Sequence, residues 1–167
     1  MEENDTKNYN DKEYMLKIVK ERGKNLELAS KELQDDKDVV KEALMQDGEA
    51  LEFVSDRLKD DKEIVMLGIK GAKWTICYAS ERLRDDKEVI LESCKDYGQA
   101  LYYASEKLRD DKEVVKAAVK NKGIIVKYAS DRLKKDKEIA QLAVEQDETA
   151  GYFIPKGVLD SEEGKEE

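Results

Sequence analysis

Residues 110–133 read Asp-Asp-Lys-Glu-Val-Val-Lys-Ala-Ala-Val-Lys-Asn-Lys-Gly-Ile-Ile-Val-Lys-Tyr-Ala-Ser-Asp-Arg-Leu. An acidic pair opens the stretch, an apolar residue recurs every three or four positions, and one glycine divides it. That spacing predicts two short amphipathic helices joined by a turn. The same sentence is written six times along the chain. The dipeptide Asp-Lys begins at Asp11, Asp36, Asp61, Asp86, Asp111 and Asp136, always 25 residues apart. A period of this length without an insertion is the signature of a stacked array, in which no unit can bury its apolar surfaces alone.

Counting each Asp as position one gives repeats 11–35, 36–60, 61–85, 86–110, 111–135 and 136–160. Apolar or small residues at positions four, five, eight and nine define the first helix, as in Val39, Val40, Ala43 and Leu44. The second half carries an aliphatic residue at sixteen, an aromatic or Leu at eighteen, a small pair at nineteen and twenty, and Leu at twenty-three. Read with helical period, this is a second α-helix with a large–small face. The serines at position twenty (Ser30, Ser55, Ser80, Ser105 and Ser130) then serve as small packing residues. Gly23, Gly48, Gly98 and Gly123 stand at position thirteen, where a left-handed residue is expected to end the first helix. At each junction, as in Asp60-Asp61-Lys62-Glu63, Asp60 is expected to cap the next helix and Glu63 to complete a capping box. The expected fold is all-α: an α-solenoid of six helix–turn–helix repeats, with HEAT- or TPR-like stacking of short helix pairs. It occupies residues 11–160 as one domain, between a flexible N-terminus (1–10) and an acidic flexible tail (161–167). Repeat six departs from the pattern, with Glu148 for the glycine, Gly151 for the aliphatic residue and Pro155 for the serine; Pro155 is expected to stop or distort its second helix.

The pattern Asp-Asp-Lys-Glu-Val-Val … Gly … Leu-x-Tyr-Ala-Ser-x-x-Leu resembles a repeat family described as domain of unknown function 4116. The resemblance covers residues 11–155. It implies a helical repeat fold and carries over no catalytic, cofactor or metal residue.

Composition narrows the function. The 167 residues include 40 acidic and 31 basic side chains, for a formal net charge of −9, and no histidine. The absence of histidine removes the commonest general base and zinc ligand. No phosphate-cradling loop or activated-serine motif is present. A non-enzymatic binding protein is therefore expected, without cofactor or metal. The repeated Asp-Asp-Lys loops lack the alternating oxygen ligands of a calcium loop and read as helix caps. No run is long and apolar enough for a membrane span. The polar start and the two cysteines, Cys77 and Cys94, read as a cytoplasmic protein with reduced thiols.

The repeats differ most in three to five. If positions fourteen, seventeen and twenty-one share the outer face of the second helix, Trp74, Tyr102 and Ile124 form a strip, with Cys77, Lys127 and Tyr97 beside it. Exposed aromatics grouped in this way serve as interface anchors. The alternative is that Trp74 and Ile124 fold inward, because repeat three lacks the turn glycine. Repeat five holds 8 basic and 3 acidic residues, whereas repeats two and six are each net −4. Lys116, Lys120, Lys122, Lys127, Lys134 and Lys135 form a candidate basic patch. The expected partner is another protein, with a small inhibitor (a phage-type antagonist of a host nuclease) as a special case. Nucleic-acid binding through repeat five is the alternative, and no small-molecule substrate is evident.

Overall fold

A computed structural model describes residues 8–160; the expected flexible tail, 161–167, and all but three residues of the expected flexible N-terminus lie outside the described residues. The described residues are helical or irregular, without a strand. The chain divides into two compact units, Met1–Leu83 and Arg84–Glu167, so that repeats one to three, short of Arg84 and Asp85, build the first and repeats four to six, with those two residues, the second. Within each unit the repeats stack in sequence order. First helices pack against first helices of adjacent repeats, and the segments that follow them form a second layer. This is the expected all-α solenoid stacking, with a different repeat.

Each first helix is regular: Lys12–Glu21, Lys37–Gln46, Lys62–Gly71, Lys87–Cys94, Lys112–Asn121 and Lys137–Gln146. Its stripe is buried as expected; Val39, Val40, Ala43, Ile64, Val65, Val114, Val115 and Val119 are all fully enclosed. The second half is not one α-helix. Positions thirteen to eighteen form a 3-10 helix in Gly23–Leu28, Gly48–Phe53, Lys73–Tyr78, Gly123–Tyr128 and Glu148–Phe153. In repeat four a short α-helical turn, Ala100–Tyr103, takes its place. A separate α-helical turn then closes repeats one to five, as Lys31–Gln34, Asp56–Lys59, Glu81–Arg84, Glu106–Arg109 and Asp131–Lys134.

Serine makes this break. Ser55 and Ser130 adopt extended backbone (φ −59°, ψ 154° and 157°), and their hydroxyls accept the amides of Leu58 and Leu133, capping the turn that follows. The residue expected to be packing filler is the N-cap of a new helix. Its own amide reaches back one repeat: Ser55 donates to the Gln34 carbonyl at 3.0 Å, Ser80 to Lys59 at 3.0 Å and Ser130 to Arg109 at 2.9 Å. In repeat one the Tyr9 carbonyl takes Ser30 at 3.1 Å. The backbone therefore carries a ladder of hydrogen bonds from repeat to repeat.

The junction carboxylates also exchange roles. Asp61, not Asp60, caps the first helix, accepting from the amides of Glu63 (3.0 Å) and Ile64 (3.3 Å). Its other oxygen takes Lys37 of the preceding repeat at 2.6 Å. Asp36, Asp111 and Asp136 are likewise shared between their own helix and Lys12, Lys87 and Lys112. Asp60 looks forward, accepting from the Ser80 hydroxyl and from Arg82 Nε at 3.0 Å. Asp35 with Ser55 and Arg57, and Asp110 with Ser130 and Arg132, repeat the clasp. Ser80 and Arg82 hold the Asp60 carboxyl below its ordinary pKa, and Ser130 and Arg132 do the same for Asp110. Between repeats five and six the clasp is lost on both sides: Lys135 replaces the Asp, while Pro155 and Gly157 replace the Ser and Arg. Pro155 is followed by bends in place of the closing helix, the termination expected of it.

The glycine at thirteen is a contact residue. Among the described residues the one glycine with positive φ is Gly157, so Gly23, Gly48, Gly98 and Gly123 do not take the left-handed conformation expected of them. They lie against the carbonyl oxygen of position eight one repeat on. A Cβ built on Gly98 would stand 2.5 Å from the Ala118 oxygen, and the other three meet Ala43, Gly68 and Ala143 in the same way. The last repeat of each unit carries a larger residue there, Lys73 and Glu148.

Candidate binding surface

A 3-10 helix has three residues per turn, so positions thirteen, sixteen and nineteen fall on one face. That face is the buried one: Gly48, Leu51 and Val54 in repeat two, Gly123, Val126 and Ala129 in repeat five. Positions seventeen and eighteen are pushed outward. The large residue at eighteen is therefore not core; Phe53, Tyr78, Tyr103 and Tyr128 are half-buried, and Leu28 and Phe153 are exposed. Each unit thus carries a row of large side chains along one surface.

In the first unit Trp74 is half-buried. Its indole Nε1 donates to Glu49 Oε1 of the preceding repeat at 3.3 Å, and Glu49 also takes Lys24 from repeat one. The Trp74 ring meets Tyr78 edge to face, 5.7 Å between centroids. Lys59 sits 5.7 Å from the Tyr78 ring. Burial, reinforced by Glu52, pushes the Tyr78 hydroxyl up to about 12. Cys77 is half-buried and forms no disulfide. A groove of about 550 Å³ lies between repeats one and two, over Phe53 and between Glu27, Glu52, Lys31 and Lys59.

The second unit gathers more aromatic surface. Tyr102, at position seventeen, is 54% exposed and packs against Tyr103 and against Tyr128 of the next repeat, each at 5.0 Å between centroids. Lys127 lies over the Tyr128 ring at 4.9 Å and the Phe153 ring at 6.0 Å. Tyr152 beside it is 88% exposed. Tyr128 also lines a groove of about 320 Å³, together with Glu106, Arg109, Ala129, Ser130 and Asp131.

The sequence-derived candidates therefore fall into two groups. Trp74 and Cys77 belong to the first unit, and Tyr97, Tyr102, Ile124 and Lys127 to the second. Tyr102 and Lys127 meet the same ring, Tyr128. Tyr97 is half-buried in the turn after Cys94, and Ile124 is half-buried at the start of its 3-10 helix. The candidate basic patch is divided: Lys116 pairs with Glu138, Lys134 pairs with Asp131 at 3.4 Å, and Lys120, Lys122 and Lys135 are exposed. Tyr103, Tyr128, Tyr152, Phe153 and Arg109 were not among the candidates. For Tyr103, Tyr128 and Phe153 the signal is an aromatic at position eighteen in five of six repeats; Tyr152, at seventeen, and Arg109, at twenty-four, carry no such signal.

Among the described residues no group of His, Cys, Asp or Glu side chains is placed to hold a metal ion, and no helix is long and apolar enough to cross a membrane. No curated protein and no solved structure matches the chain. The family model for a domain of unknown function (DUF4116) matches residues 11–59, 36–84, 61–109, 86–131 and 111–157. Each match begins on the Asp that caps a first helix and runs on into the following repeat, the pair that the junction hydrogen bonds join. The chain belongs to the DUF4116 family, as a tandem array of its helical repeats.

Proposed function

We propose that the chain is a non-enzymatic protein-interaction module that seats its partner on the aromatic face of repeats four to six. The carrying observation is the surface cluster of Tyr102, Tyr103 and Tyr128, joined ring to ring, with Lys127 bridging the rings of Tyr128 and Phe153. Tyrosines offer large, stiff contact area with a polar tip, and residues of this type dominate interface energies. The repeat scaffold underneath supports them: Leu101 and Val126, adjacent to Tyr102 and Lys127, are fully buried. An anchor held this way loses little conformational freedom on binding. Cys77 and Cys94 form no disulfide, which suits a reducing compartment and fits a cytoplasmic role.

The test is capture of a partner from the native host by the wild-type chain and by a Tyr102→Ala/Phe153→Ala double variant. The proposal expects one protein to be retained by the wild type and lost by the variant, with thermal stability nearly unchanged. Retention by both chains overturns it. So does unfolding of the variant, because it returns those side chains to the core.

A further inference from the structure

We infer that the segment recognised by this aromatic face is an acidic peptide carrying an aromatic or long aliphatic side chain. The inference rests on the proposed binding role and adds the chemistry of the partner. Four of the eight basic side chains of repeat five are spent on carboxylates: Lys112 on Asp136, Lys116 on Glu138, Arg132 on Asp110 and Lys134 on Asp131. Lys127 is not. Its ammonium lies over the Tyr128 and Phe153 rings, which hold a cation in place without neutralising it.

Arg109 adds a second open cation. It lines the same groove as Tyr128, and its Nε is buried without a hydrogen-bond partner among the described residues. Of the counterparts of Arg109, Gln34 donates to the Leu26 carbonyl, Lys59 to that of Glu52 and Lys134 to Asp131, while Arg84 shares the unpartnered Nε. Lys120, Lys122 and Lys135 are exposed on the same repeat and extend the positive field. Against these stand Glu106 and Asp131 at the groove, the latter shared with Lys134.

A basic segment would meet Lys127 and Arg109 first and be repelled. A neutral one would cover both charges without compensation, which costs affinity. A carboxylate placed between them, with a neighbouring apolar side chain on the rings of Tyr102 and Tyr128, meets both demands. A nucleic-acid strand suits the surface less well. Its evenly spaced phosphates would run from repeat five onto repeats four and six, which are net −2 and −4.

The inference is tested by panning random phage-displayed dodecapeptides on the full chain near physiological salt. Selected sequences should be rich in Asp or Glu next to an aromatic or aliphatic residue. A synthetic representative should lose affinity by about tenfold or more on Lys127→Glu, and also on Arg109→Gln and on Tyr102→Ala. Selection of basic or uncharged peptides that still depend on Tyr102 overturns the acidic specificity and leaves the binding face standing. If no peptide is selected, or those selected ignore both Tyr102→Ala and Phe153→Ala, the binding face itself is overturned. Oligothymidylate bound at the same salt, and released by the same variants, assigns the surface to nucleic acid and also overturns the inference.

Discussion

Gly98 lies against the carbonyl of Ala118, one repeat on, so closely that a methyl group added to it would stand 2.5 Å from that oxygen. Its amide donates to Asn121 Oδ1 of the same neighbour at 2.7 Å. The absent side chain is therefore what lets two repeats meet. Gly98→Ala should destabilise the protein by about 1–3 kcal/mol, because the neighbouring backbone has to move. Gly151 is the control. A Cβ there finds nothing nearer than Val144 Cγ2 at 3.9 Å, and Gly151→Ala should be neutral or stabilise by up to about 1 kcal/mol. Chemical denaturation of the two variants checks the pair of signs.

Leu101 and Tyr102 are sequence neighbours with opposite fates, fully buried and 54% exposed. Leu101→Ala opens a cavity in the stacked core and should cost about 2–5 kcal/mol. Tyr102→Ala should change stability by less than about 1 kcal/mol. Comparable losses at both positions would mean that the outer row has been assigned to the wrong face.

Acid should loosen the junctions. Lys37 holds Asp61 below its ordinary 3.8, Lys112 does the same to Asp136, and Ser80 and Ser130 with their arginines do it to Asp60 and Asp110. A carboxylate depressed in the folded state lends stability that is complete above the unfolded value. That stability drains away as pH falls through the folded one. Tm should therefore be nearly flat from about pH 7 to 5 and decline below about pH 4. The paired lysines give the opposite limb. Asp136 holds Lys112, and Asp111 holds Lys87, above 10.5, so their contribution is present below that value and is lost at higher pH. Thermal melts across the range measure both limbs.

Burial pushes the Cys94 thiol up to about 12, and its side chain is 1% exposed. It should resist iodoacetamide at neutral pH in the folded protein and react once the chain is unfolded. Mass spectrometry of the labelled peptides reads this directly. Rapid native labelling of Cys94 would mean that the first-helix stripe is not the core.

The first half of each repeat was legible because its signals agree. Asp-Lys recurs without insertion, and positions four, five, eight and nine fit one helical face. The second half was not, because two periods coincide there. Leu51, Val54 and Leu58 satisfy an α-helical spacing, while Gly48, Leu51 and Val54 satisfy a spacing of three. The choice between them is made by Ser55, whose amide partner is the Gln34 carbonyl in another repeat. A single repeat cannot reveal that bond. The roles of Asp60 and Asp61 are hidden for the same reason: either can cap locally, and the lysine before and the serine and arginine after assign them.

The surface was legible in part. Tyr102 and Lys127 stood out as departures from the pattern and do converge on Tyr128. The partners of Tyr102, Tyr103 and Tyr128, escaped notice because aromatics repeated at one position look like core. The 3-10 geometry turns them outward. Trp74 stood out as a departure at position fourteen, and its hydrogen bond to Glu49 places it in the first unit's own row.

The most direct test of the proposed binding face uses a photo-crosslinking benzoylphenylalanine at one of two exposed positions, 102 on the aromatic face or 45 on a first helix, where Met45 is 61% exposed. With the full chain irradiated in extract of the native host, position 102 should give a discrete protein adduct. Position 45 should give none, and Phe153→Ala should abolish the adduct at 102. An adduct from position 45 with none from 102 would contradict the assignment of the binding face to the aromatic row.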